Sequence, residues 1–96
     1  MSKKSLSAFQ KNVTTAGTAV QLATASNWVK GVVIKALHAN TGVVKIGGSS
    51  TTAKAELVPD EAYVFDKDDQ VDLSTIWLDS AINGEGVSVS YLTSIS

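Results

Sequence analysis

The residues able to do chemistry are few, and they are scattered. The one acidic cluster, Asp66-Lys67-Asp68-Asp69-Gln70-Val71-Asp72, spaces carboxylates as a calcium loop does. It has no glycine for the sharp turn, no glutamate at the twelfth loop position, and a lysine in its middle. A solvated turn is the better reading, with no metal at Asp66, Asp68, Asp69 and Asp72. The single histidine, His38, follows an apolar run and precedes Asn40-Thr41-Gly42. A general base or pH switch is one reading. A strand-end histidine hydrogen-bonded to turn backbone is the favoured one. Serine is too abundant for a Ser-His-Asp spacing to carry information. Gly47-Gly48-Ser49-Ser50-Thr51-Thr52 lacks the Gly-Lys-Ser/Thr ending of a phosphate loop. Trp77, with Trp28 as a weaker companion, suits either sugar stacking or protein contact. Its expected neighbours Ser88, Ser90 and Leu92 lack the amides and carboxylates that bind sugar hydroxyls, which favours protein contact.

Composition points the same way. The chain has 96 residues, 8 lysines, no arginine, 9 carboxylates, no cysteine and a net charge of -1. Without arginine or a basic excess it is poorly equipped for nucleic acid. Without cysteine it has no disulfide, thiolate zinc site or cysteine nucleophile. No apolar run approaches the ~20 residues of a membrane span, and Met1–Ser7 lacks the apolar core of a secretory signal. The expectation is a non-enzymatic module with no catalytic residue, cofactor or metal. Its length gives one domain with a folded surface of ~5,200 Å².

The elements that must position these residues are short β-rich runs separated by Gly, Asn and Asp. Strands are predicted over 9–15, 18–23, 28–30, 32–38, 43–47, 53–57, 63–66, 71–73, 76–79 and 86–93, and no segment holds a 3.6 period. The predicted fold is an all-β, antiparallel β-sandwich, jelly-roll-like, over residues 8–96, with 1–7 as a flexible arm.

Two hairpins are expected. In the first, Gly42 closes a three-residue loop, so that His38 opposes Val44 and Ala36 opposes Ile46. Val32, Ile34, Ala36, Val44 and Ile46 then face the core, and Val33, Lys35, Leu37, Val43 and Lys45 face away. In the second, Asn83-Gly84 forms the turn, Leu78 opposes Val89 and Ile76 opposes Tyr91. Ile76, Leu78, Val87, Val89 and Tyr91 face inward; Trp77, Asp79, Ser88, Ser90 and Leu92 face outward. Val33, Leu37, Val43, Trp77 and Leu92 are therefore candidates for an oligomer interface.

The order of elements resembles that of small virion proteins of tailed bacteriophages. The resemblance rests on Gly17-Thr18-Ala19-Val20-Gln21-Leu22, on Ile34-Lys35-Ala36, and on Ala39-Asn40-Thr41-Gly42 through Lys45-Ile46-Gly47. It continues in Leu57-Val58-Pro59-Asp60-Glu61 and in Asp72 through Ala81, and closes with Asn83-Gly84-Glu85-Gly86-Val87-Ser88-Val89-Ser90-Tyr91. It implies a capsid decoration (cement) protein on the outer surface of the virion. The implied partners are copies of itself, as a homotrimer, and the major capsid protein, with no nucleic acid and no membrane. A tail, baseplate or fibre-associated binding module, with a glycan as one ligand, is the alternative. Two positions depart from the family pattern: Lys45 where an aromatic is common, and Asp60 where glycine often follows the proline. Lys3, Lys4 and Leu6 in the arm are candidates for attachment to the capsid.

Overall fold

The computed structural model of the chain describes residues 3–49, 51, 53–66 and 68–95. Among these residues the strands are β1 (Lys3–Asn12), β2 (Val20–Gln21), β3 (Trp28–Ala36), β4 (Val44–Gly47), β5 (Ala55–Leu57), β6 (Ala62–Val64), β7 (Gln70–Asp72), β8 (Trp77–Ser80) and β9 (Gly86–Ile95). One 3₁₀ turn, Leu73–Thr75, joins β7 to β8. Two antiparallel sheets pack together as a β-sandwich. Sheet A has the order β1-β9-β3-β6, with β7 pairing β3 beside β6; sheet B has the order β2-β8-β4-β5. This strand order does not by itself mark a jelly roll.

Alternation builds the core. Val32, Ile34, Ala36, Val87 and Val89 from sheet A meet Val44, Ile46, Leu57 and Leu78 from sheet B, all buried. The predicted inward sets are thus inward, with Tyr91 partly buried at the margin. Neither predicted hairpin exists, however. β3 and β4 lie in different sheets, as do β8 and β9. Ala36 pairs with Val87, while Ile46 pairs with Leu78. A period of two reports which side chains face the core, and it reads the same whether the next strand lies beside its predecessor or across from it.

Gly31, at φ 60°, explains why β3 reads as two runs. Lys30 pairs with Leu92 and Val33 with Ser90, so Gly31 and Val32 together oppose Tyr91. This one-residue bulge shifts the phase and lets both Val29 and Val32 point inward.

Residues 3–7 are not an arm in this structure. The β1–β9 register is continuous from Lys3↔Ile95 to Asn12↔Gly86. The polar, lysine-bearing composition of 3–7 marks a segment unable to fold alone, but β9 continues to Ile95 and supplies the template. Met1 and Ser2 lie outside the described residues. The exposed surface is 5585 Å², a little above the size-based expectation, in a body of 43 × 24 × 18 Å.

Three connections that cross between the sheets meet at one end and are bonded together. Asn40, buried, donates from Nδ2 to the Gly86 carbonyl at 2.8 Å and accepts from the Gly86 N–H at 3.3 Å. Val13 N–H donates to the Glu85 carbonyl, and Gly84 N–H donates to the Val13 carbonyl. Gly86 must lack a side chain here, because a Cβ would lie 2.0 Å from the Lys11 carbonyl oxygen. Gly86→Ala is expected to cost about 3 kcal/mol, a fall of roughly 12–24 °C in Tm for a domain of this size. Gly48→Ala, at a position with nothing within 4 Å, should stay within about 0.5 kcal/mol of the parent. Paired thermal melts check both.

Candidate functional site

The outward face of sheet A is the strongest candidate for a functional surface. Register places Ala8, Ser90, Val33 and Val64 in one row across four strands, and Leu6, Leu92, Lys30 and Gln70 in the next. Trp28 stands at the start of β3 on the same side, across from Asp72. Leu6, Trp28 and Val64 are 71%, 65% and 66% exposed. Three large apolar side chains exposed on one face of a small domain make it the candidate contact surface.

The predicted interface set divides. Val33 and Leu92 belong to this face, together with Leu6. Trp77 pairs with Gly47 and Gln21 on the outside of sheet B, and Val43 adjoins the same sheet. Leu37 lies in the crossover between the sheets, its N–H donating to the Gly86 carbonyl. The set combined two opposite surfaces because the first hairpin was taken to lie in one sheet. Trp28, Val64 and Ala8 complete the face; of these only Trp28 was signalled, by its residue type. Lys3 and Lys4 fall within β1.

Most carboxylates with special surroundings serve the fold. Asp72 caps the 3₁₀ turn and gathers the start of β3. Its oxygens accept from Asn27 N–H at 2.9 Å, Ser74 N–H at 3.0 Å, Ser74 Oγ at 2.8 Å and Ser26 Oγ at 2.8 Å. These bonds, led by that from Asn27, lower its pKa from 3.8 to about 2 against the opposing effect of burial. Glu85 closes the Asn40-Thr41-Gly42 turn, accepting from Thr41 N–H, Thr41 Oγ and Gly42 N–H at 2.7, 3.0 and 3.0 Å. The Gly42 bond leads the causes that hold its pKa below the usual value.

His38 is exposed, and its Nδ1 lies 2.5 Å from Asp60 Oδ2, so its partner is a carboxylate and not turn backbone. Asp60 takes a left-handed φ of 73°, the conformation in which glycine is at ease, and also meets Lys35 Nζ at 3.5 Å. The hydrogen bond from His38 is the main cause of its lowered pKa, ahead of the charge of Lys35. In the acidic loop, Asp66 Oδ1 accepts from Asp68 N–H at 3.2 Å, a self-contained turn. Lys67 lies outside the described residues. No group of three or more potential metal ligands occurs among the described residues, and no helix there is long and apolar enough to cross a membrane. Lys45 stands in register between Asp79 and Glu56.

An apolar cleft of about 310 Å³ opens between the sheets, lined by Ile46, Ala55, Tyr63, Phe65, Val71 and Ile76 among others. The Tyr63 and Phe65 rings lie 5.2 Å apart, centroid to centroid. Among the described residues its lining contributes no carboxylate, imidazole or amine, and its hydroxyl-bearing residues are Tyr63 and Thr75.

Because the folded pKa of Asp72 is depressed, its stabilising contribution is complete above about 3.8 and is lost as pH falls through about 2. Asp72→Asn should therefore lower stability at neutral pH and flatten part of the acid-induced loss in that window. Urea midpoints measured against pH check this. No family model, no curated protein and no solved structure matches this chain.

Proposed function

We propose that this chain is a non-enzymatic structural protein of a tailed-bacteriophage particle, a decoration protein that binds the assembled head and stabilises it. The observation that carries this reading is the outward face of sheet A, where Leu6, Trp28 and Val64 stand exposed around Val33 and Leu92. The element order that resembles small phage virion proteins supports it. So does the engagement of Asp72, Glu85 and Asp60 in turns and caps. A module that binds only the assembled shell stabilises that shell by mass action, in proportion to the logarithm of its free concentration over Kd. Aromatic and aliphatic side chains at the centre of such a face would supply most of the binding energy.

Electron microscopy of particles carrying the chain is the test. Density of this sandwich on the outer head surface is expected, with the Trp28 face toward the shell. Combined Trp28→Ser and Val64→Ser should weaken binding to heads by about tenfold or more, the scale of hot-spot residues, while leaving the melting curve near that of the parent. Density confined to the tail or baseplate, or full occupancy by the double variant, overturns the reading.

A further inference from the structure

Sheet A ends in two edges, β1 on one side and the β6–β7 pair on the other, and these edges carry opposite charge. β1 contains Lys3, Lys4 and Lys11 and no carboxylate. The first acidic residue of the whole chain is Glu56, after seven lysines. The segment from Asp60 to Asp72, which forms β6, β7 and the loop between them, holds six carboxylates and one lysine, Lys67. Asp60 is matched by Lys35 and His38, and Asp72 is occupied as a cap. Glu61 accepts from Val58 N–H and Asp66 from Asp68 N–H, but these two, Asp68 and Asp69 are all exposed, and none meets a cation among the described residues.

We propose that copies of this chain associate head to tail, the β1 edge of one against the β6–β7 edge of the next, so that sheet A continues from copy to copy. Direction and length both agree with this. β9 is antiparallel to β1 and to β3, so β1 runs parallel to β3, whereas β6 and β7 run antiparallel to β3. Copies facing the same way therefore bring β1 antiparallel to β6 and β7, the pairing used throughout the sheet. The β6–β7 edge extends along β3 from Trp28 to Lys35, eight residues, and β1 has ten. One β1 thus reaches along the whole edge at about 3.3 Å per residue.

A two-fold contact is disfavoured by the same charges. Joining β1 to β1 sets lysines against lysines, and joining β6–β7 to itself sets carboxylates against carboxylates. Edge hydrogen bonds would supply affinity, as in strand addition, and the charges would select the partner edge and speed encounter. A heterologous contact closes into a ring or runs on as a filament. It leaves the outward face of sheet A uncovered, so it stands or falls apart from the head-binding reading.

Sedimentation of the purified protein alone is the test. Oligomers larger than a dimer should form at about 0.01 M salt and dissociate toward 1 M, as the Debye length shrinks from about 30 Å to about 3 Å. The triple variants Lys3→Glu/Lys4→Glu/Lys11→Glu and Asp66→Lys/Asp68→Lys/Asp69→Lys should each self-associate at least tenfold more weakly. An equimolar mixture of the two should recover association, because each reversed edge then meets its complement. If the lysine-to-glutamate variant does not fold, Lys→Gln at the same positions should weaken association in the same direction. A parent that stays monomeric at low salt, a dimer indifferent to these reversals, or folded variants that fail to associate when mixed would each overturn the proposal.

Discussion

The sandwich depends on the bonding of its crossovers at the two ends. A chain that changes sheets six times must turn its backbone through regions where neither sheet offers a ladder partner, and those polar groups need satisfaction from elsewhere. At one end Asn40 acts as a stand-in strand residue for Gly86, and the Glu85 carboxylate gathers three donors of the Asn40–Gly42 turn. At the other end Asp72 binds Ser26 and Asn27 before β3 while capping the turn before β8. Each carboxylate joins segments more than forty residues apart. No buried side-chain nitrogen or oxygen among the described residues is left without a partner. With the ends tied, a core of valine, leucine and isoleucine suffices to hold the sheets face to face.

That arrangement leaves one side of each sheet facing outward. Both ten-residue strands, β1 and β9, belong to sheet A, whose outward side carries small residues such as Ala8, Ser88 and Ser90 among its exposed aliphatic and aromatic groups. The outside of sheet B is different in kind. There Lys45 sits between two acidic positions in register, and Trp77 is half-covered, so that side is closer to an ordinary solvated surface. The two sides of the sandwich thus offer different chemistry to a partner.

Much of this was legible in the residues. Strand positions followed from β-branched runs between Gly, Asn and Asp, and the inward sets of both supposed hairpins are the core. The left-handed backbone of Asp60 and its pairing with His38 and Lys35 were not foreseen from the residues. The roles of Asp72 and Glu85 were not legible, because a cap that ties segments distant in sequence leaves no local pattern. The predicted interface set divides between two surfaces for the same reason. Val33 and Leu92 share a face, but Trp77 and Val43 belong to the far side of the molecule.

The sequence by itself determined which residues point inward, where the chain turns, and that one glycine-bounded sandwich would hold the whole core. These are properties of nearest neighbours: alternation, branching at Cβ and turn chemistry act over a few residues. Only the tertiary structure decided which sheet each strand joins, because Ala36 satisfies its alternation equally beside Ile46 or across the core from it. The same placement turned a lysine-bearing N-terminal segment into an edge strand and set it at the opposite side of one sheet from the acidic loop. Hydrogen-bond partners and electric fields act through space, so strand partners and the separation of charge became definite only once the chain had folded.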